Sequence, residues 1–161
     1  MIFTYLFVLN AAHALGIARG ALDGFVEMAG RNASMQSTTV LRERPQVQAS
    51  VGEAEAILNA ARAYVIDAIG KAWTAACDKV PDPAQEVAQA RLAITHNVHE
   101  AGRVVTLLYH AAGTNAIYTR NPLERQFRDI HVAEQHNAAF RWYYESAGKV
   151  LLGLRPNDPG W

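Results

Sequence analysis

Between Pro122 and His136 the chain reads PLERQFRDIHVAEQH, with Arg125, Arg128, Asp129, His131, Glu134 and His136 in one short stretch. Most of the remaining sequence is amphipathic helix, so polar chemistry is concentrated here. A histidine gives a proton to a reacting group, or takes one from it, near neutral pH. His131 and His136 are therefore the candidate catalytic residues. The plainer reading is a pair of surface or loop histidines. Upstream, Arg42 and Arg44 precede a long helical pattern. Guanidinium groups there can hold a phosphate bidentately, helped by the free amides of the helix start. The plainer reading is a solvated basic loop.

A metal centre has less support. Di-iron bundles need Glu-x-x-His pairs on inward helix faces, and none occurs. In Glu134-Gln135-His136 the i, i+2 spacing sends the two groups to different sides of a helix. His96 shares a helix face with Glu100, and His99 with Arg103, but no third zinc ligand is evident, so these read as polar or interface residues. His13 and His110 sit beside apolar positions and read as hydrogen-bonded histidines at the core edge. No metal site is assigned.

The elements that must position these groups are helical. Three long segments carry a helical apolar period. The first runs from about Ile2 to Ala29, through Phe3, Phe7, Ala14, Ala18, Ala21, Leu22, Phe25 and Met28. The second runs from Pro45 to Lys79, through Val47, Val51, Ala54, Leu58, Ala61, Val65, Ile69, Trp73 and Ala76. The third runs from Pro83 to Ala112, through Val87, Ala90, Ile94, Ala101, Val105, Leu108 and Ala112. Asp82-Pro83-Ala84-Gln85 reads as an N-cap acid, a proline at the first helical position and a capping-box glutamine. Residues 30–44 and Gly113–Asn121 read as loops. A shorter helix starts at Pro122 with Asn121 as its cap. A last helix covers Ala138–Leu152, using Phe140, Tyr144, Ala147, Val150 and Leu151, and Gly153 follows it. The predicted fold class is all-α: an up-and-down four-helix bundle with a short connecting helix. Residues 1–153 form the bundle domain and 154–161 a turn-rich tail.

Composition narrows the function. The 161 residues hold 15 Lys plus Arg and 15 Asp plus Glu. Zero formal charge lacks the basic surplus of a nucleic-acid footprint and favours association. Cys77 is the single cysteine. With Ile69 and Trp73 it falls on the apolar stripe and reads as a buried, inert thiol. A reducing cytoplasm is the expected compartment. The apolar N-terminus lacks the basic start of a signal peptide, and Asn10, His13 and Arg19 interrupt it before a membrane span's length.

HAAGTNAIYTRNPLERQFRDIHVAEQHNA, residues 110–138, resembles the C-terminal helical domain of the acyl-CoA dehydrogenase superfamily. The likeness rests on Ala112-Gly113-Thr114, Tyr118, Pro122 and Arg128-Asp129. NAAHALGIARGALDGFVEMAG and RPQVQASVGEAEAILNAARAYV are similar to the family's opening helices. The family's dehydrogenases carry a glutamate followed by Gly-Thr as the base. Here the chain reads Glu134-Gln135-His136-Asn137-Ala138, which looks like the monooxygenase branch, the oxygenase components of two-component flavin-dependent enzymes. That resemblance implies His136 beside the flavin ring, with His131 as second choice. It also implies Arg42 or Arg44 on flavin phosphate in a neighbouring subunit, Gly113 and Thr114 bordering the cofactor, and Arg128 with Asp129 bracing the loop through a salt bridge.

The implied cofactor is reduced FMN or FAD, and the implied substrate an aromatic or similar small molecule. The family also has an N-terminal helical domain and a β-domain, and the resemblance implies that these 161 residues hold only the third, C-terminal part. Weak or absent flavin binding is therefore expected of the chain alone. The implied partners are further copies of the chain, as dimer or tetramer, the missing domains in trans, and a flavin reductase. The alternative is a stand-alone bundle that has lost the chemistry and serves oligomerisation or binding.

Overall fold

A computed structural model of the chain describes residues 2–31 and 40–156; of Ile2, Phe3 and Tyr5 it describes the backbone only. Five helices follow in order: α1 (Ile2–Arg31), α2 (Pro45–Cys77), α3 (Ala84–Ala112), α4 (Pro122–Glu134) and α5 (Trp142–Leu151). Short 3-10 turns cover Leu41–Glu43, Gly113–Asn115 and Asn137–Ala139. The described residues contain no strand.

α3 is the axis of the molecule. It packs against α1, α2, α4 and α5, and residues all round it are buried, among them Ala90, Ile94, Val98, Ala101, Val105 and Leu108. A helix enclosed on every side must be apolar on more than one stripe. Alanine recurs at its contacts, and small side chains let neighbouring axes approach closely. α4 lies across α1 and α3, so the short connecting helix is itself a wall of the bundle. α5 packs on α3 at the opposite end.

α2 departs from the expected stripe. Its buried residues are Val47, Ala54, Leu58, Ala61, Val65, Ala68, Ala72 and Ala75. Ala54, Ala61, Ala68 and Ala75 recur every seven residues. That repeat keeps one face turned steadily toward α3, as in coiled-coil packing. The assignment of Ile69, Trp73, Ala76 and Cys77 to one buried stripe is thus corrected. Ile69 and Ala76 are partly buried, Trp73 is 60% exposed and Cys77 is exposed. Alanines share this buried face with Val47, Leu58 and Val65.

The ends follow local chemistry. The Asn121 side chain accepts a hydrogen bond from the Leu123 amide at 3.0 Å, capping α4 with Pro122 at its first position. α3 begins one residue later than anticipated. Its cap is Pro83, which offers no side-chain acceptor, so the predicted Asp82 cap is absent. α1 runs on through Arg31, and Leu41 of the following turn is buried. The last helix starts at Trp142; Tyr143, Ser146, Ala147 and Val150 are buried, while Leu151 is exposed. Gly153 (φ 76°) reverses the chain after α5. The remainder of the 30–44 loop (32–39) and of the tail (157–161) lies outside the described residues.

Candidate functional site

His136 stands in the link between α4 and α5. Its Nδ1 accepts a hydrogen bond from the Ala138 amide at 3.2 Å, and its carbonyl accepts from the Ala139 amide at 2.8 Å. A neutral ring with Nδ1 engaged as acceptor carries its proton on Nε2. The side chain is exposed. The ring edge meets Phe7 of α1 at 6.2 Å. In its neutral form His136 is thus set as a donor rather than a base.

The turn beneath it is fastened to α3. Thr95 Oγ1 donates to the Ala138 carbonyl at 3.2 Å, and His99 Nε2 donates to the Ala139 carbonyl at 2.9 Å. Behind the turn lies a second core of Phe7, Ala11, Ile94, Ala138 and Tyr143. Arg91 is buried there, its guanidinium 4.5 Å from the Phe7 ring centre and 5.0 Å from that of Tyr143, with Nε donating to Thr4 Oγ1 at 3.0 Å. Such cation–π contacts contribute about 0.5–2 kcal/mol each.

His131 faces elsewhere. Its Nδ1 donates to Glu134 Oε2 at 2.7 Å, and its ring stands edge-on to Phe127 at 4.5 Å. With Glu134, His99, Gly102, Arg103, His110 and Glu53 it lines an open groove of about 440 Å³. Glu134 Oε1 lies 3.6 Å from His99 Nδ1. Partial burial pushes the Glu134 carboxyl up, but hydrogen bonds from His99 and His131 and their positive charge outweigh it, leaving it below the usual carboxylate value. His131 and His136 thus have separate surroundings, and the two do not converge on one point.

The remaining candidates cluster at the far end. Arg42 is exposed and Arg44 caps α2. Gly113 (φ 59°, ψ −142°) ends α3 in a conformation that suits glycine, and Thr114 beside it is exposed. Gly113 and Thr95 are separated by about 27 Å of helix. One chain therefore does not gather His136 with Gly113 and Thr114 around a single small group. The expected Arg128–Asp129 salt bridge is replaced by two pairs of i, i+4 spacing along α4, Arg128–Glu124 at 2.7 Å and Arg125–Asp129 at 3.2 Å. That spacing brings helical side chains together where adjacent residues diverge. His13 and His110 are exposed, not at the core edge. Among the described residues no group of three His, Cys, Asp or Glu could hold a metal ion.

Thr95, His99, Gly102 and Arg91 were not anticipated at the site. Their signal is present: Arg91, Thr95 and His99 repeat every four residues on the central helix, and Arg91 and Thr95 are buried. A polar stripe on a central helix needs partners inside the fold.

The described residues form an all-α bundle of five helices with His136 between the last two. The chain belongs to the family described as acyl-CoA dehydrogenase, C-terminal domain, which it matches over residues 8–141. It is 34% identical to indole-3-acetate monooxygenase of Pseudomonas putida over 142 residues, 88% of this chain and 36% of that protein. The indole-3-acetate monooxygenase of Acinetobacter baumannii is 30% identical over 147 residues, 91% of this chain and 38% of the relative. The structure of XiaF from a Streptomyces species, in complex with FADH2 and glycerol, superposes with a TM-score of 0.90 at 25% identity. That superposition covers 98% of this chain and 40% of XiaF. The chain thus spans little more than a third of the curated relatives it matches, and corresponds to their C-terminal part.

Proposed function

We propose that this chain is the helical C-terminal wall of a flavin-dependent monooxygenase acting on an aromatic or similar small molecule, with His136 directed at the cofactor. The observation that carries the reading is the exposed His136 ring, its Nδ1 accepting from the Ala138 amide on a turn that two α3 side chains hold. The likeness to two indole-3-acetate monooxygenases and to a structure holding FADH2 supports it.

The residues suit one side of a flat, polar-edged ring. A donor stands at the surface beside the edge of Phe7. The helices nearby expose Leu6, Leu9 and Trp142, and exposed apolar side chains at one end suit a surface that another domain covers. Reduced flavin with dioxygen supplies the oxygen atom that a monooxygenase transfers. His136 offers a hydrogen bond where charge develops, and covering domains exclude water. Those domains act in cis or in trans, and a flavin reductase supplies reduced FMN or FAD. Arg42 and Arg44 reach the phosphates of a cofactor held by a second copy, which accords with their distance from His136. Gly113 and Thr114 border that same region, and His131 acts behind the turn. The working unit is a cytoplasmic homo-oligomer.

The outer face of α2 supports assembly. Ala49, Gly52, Ala56, Asn59, Ala63, Ile66, Gly70, Trp73 and Cys77 are all exposed and uncharged, at alternating steps of three and four. A seam of that spacing fits another helix. Anaerobic titration of the chain with reduced FMN and FAD, beside His136→Ala, tests the proposal. Saturable binding weakened by the substitution supports it. Absence of binding, both alone and with the relatives' remaining domains added, refutes it.

A further inference from the structure

We infer that His99, held by Glu134 in a notch left open by Gly102, is a positioning residue that sets the turn carrying His136. The inference rests on the flavin-facing reading of His136 and adds residues to that site.

The Asn137–Ala139 turn closes on itself through only two backbone hydrogen bonds, Ala139 N–H to the His136 carbonyl and Phe140 N–H to the Asn137 carbonyl. Its carbonyls at Ala138 and Ala139 are taken by Thr95 and His99, one helical turn apart on α3. Its Ala138 amide in turn holds the His136 ring at Nδ1. A shift of the turn therefore rotates the imidazole and moves the Nε2–H. Of the two α3 donors, only His99 is braced from behind. Its other nitrogen faces Glu134 Oε1 at 3.6 Å, and its ring stacks on Tyr144 at 6.4 Å. Glu134 is fixed by His131 Nδ1 at 2.7 Å. A Cβ at Gly102 would fall on the Glu134 carboxylate, so glycine is what admits the carboxylate to α3. His131, Glu134 and His99 form a chain of contacts from α4 through α3 to the turn. Such a chain orients a working histidine as outer partners orient a metal-binding one.

The test compares His99→Leu with His99→Gln, whose amide can still donate to the Ala139 carbonyl. Amide exchange at Ala138 and Ala139 is measured in the purified chain, and reduced FMN and FAD are titrated anaerobically. In His99→Leu, exchange should accelerate about fivefold, the factor one hydrogen bond supplies. In His99→Gln it should stay near wild type. Flavin affinity should fall with His99→Leu, yet fall no further when the change is added to His136→Ala, because the two act as one unit. A purely structural role would give additive losses. Equal acceleration in both variants, or in neither, overturns the proposal. Should His99→Leu fail to fold, Glu134→Ala carries the same test, and unchanged exchange there overturns it. If exchange responds as described but no variant binds flavin, either alone or with the relatives' remaining domains added, the positioning role stands and the flavin reading falls.

Discussion

At the residue scale, His136 stands exposed beside a turn whose carbonyls Thr95 and His99 hold. A histidine five residues beyond another announces chemistry, but the sequence does not say that His131 turns toward Glu134 while His136 turns toward Phe7. The residues that separate them, Thr95 and His99, lie about forty positions upstream, and only the fold brings them to the turn. Glu134 shows how charge works here. Its folded-state carboxyl lies below the ordinary 4.5. A lowered acid contributes stability above its unfolded value and loses it as pH falls through the folded one. The stability gap between wild type and Glu134→Gln should therefore be present above pH 4.5 and close at lower pH, as read by urea unfolding. Arg103, Glu53 and His110 share the groove, and their charges act on the Glu134 carboxylate but not on the neutral glutamine. Gly113→Ala should cost about 1–3 kcal/mol of unfolding free energy, because a Cβ strains that backbone conformation.

At the scale of elements, helix number and most boundaries followed from proline, glycine and capping signals. Pro45, Asn121-Pro122 and Gly153 mark real ends. The face of α2 did not follow, because large apolar residues at Ile69 and Trp73 drew the stripe away from the alanines that make the contact. Two substitutions separate its faces. Ala61→Leu, on the inner seam, should destabilise by about 1–3 kcal/mol through overpacking, measured by thermal unfolding. Ala63→Arg, on the exposed outer seam, should leave the unfolding of the monomer nearly unchanged and lower the mass seen by sedimentation. An unchanged oligomer mass would remove α2 as the assembly face.

At the scale of the whole molecule, α3 unites the account. It is the core of the bundle, the anchor of the His136 turn and the link to the Gly113 end. Core damage and site damage should therefore be separable along it. Leu108→Ala, far from the turn, should cost about 2–5 kcal/mol in unfolding and spare the turn's contacts. None of the described helices is long and apolar enough to cross a membrane. The central claim is that this domain presents His136 to a reduced flavin. The most direct measurement is anaerobic NMR shift mapping of the labelled chain with reduced FMN and FAD. Saturable shifts centred on 135–139 and the Phe7 segment of α1 are expected, lost in His136→Ala. Shifts confined to other faces, or absent even with the relatives' remaining domains present, would contradict it.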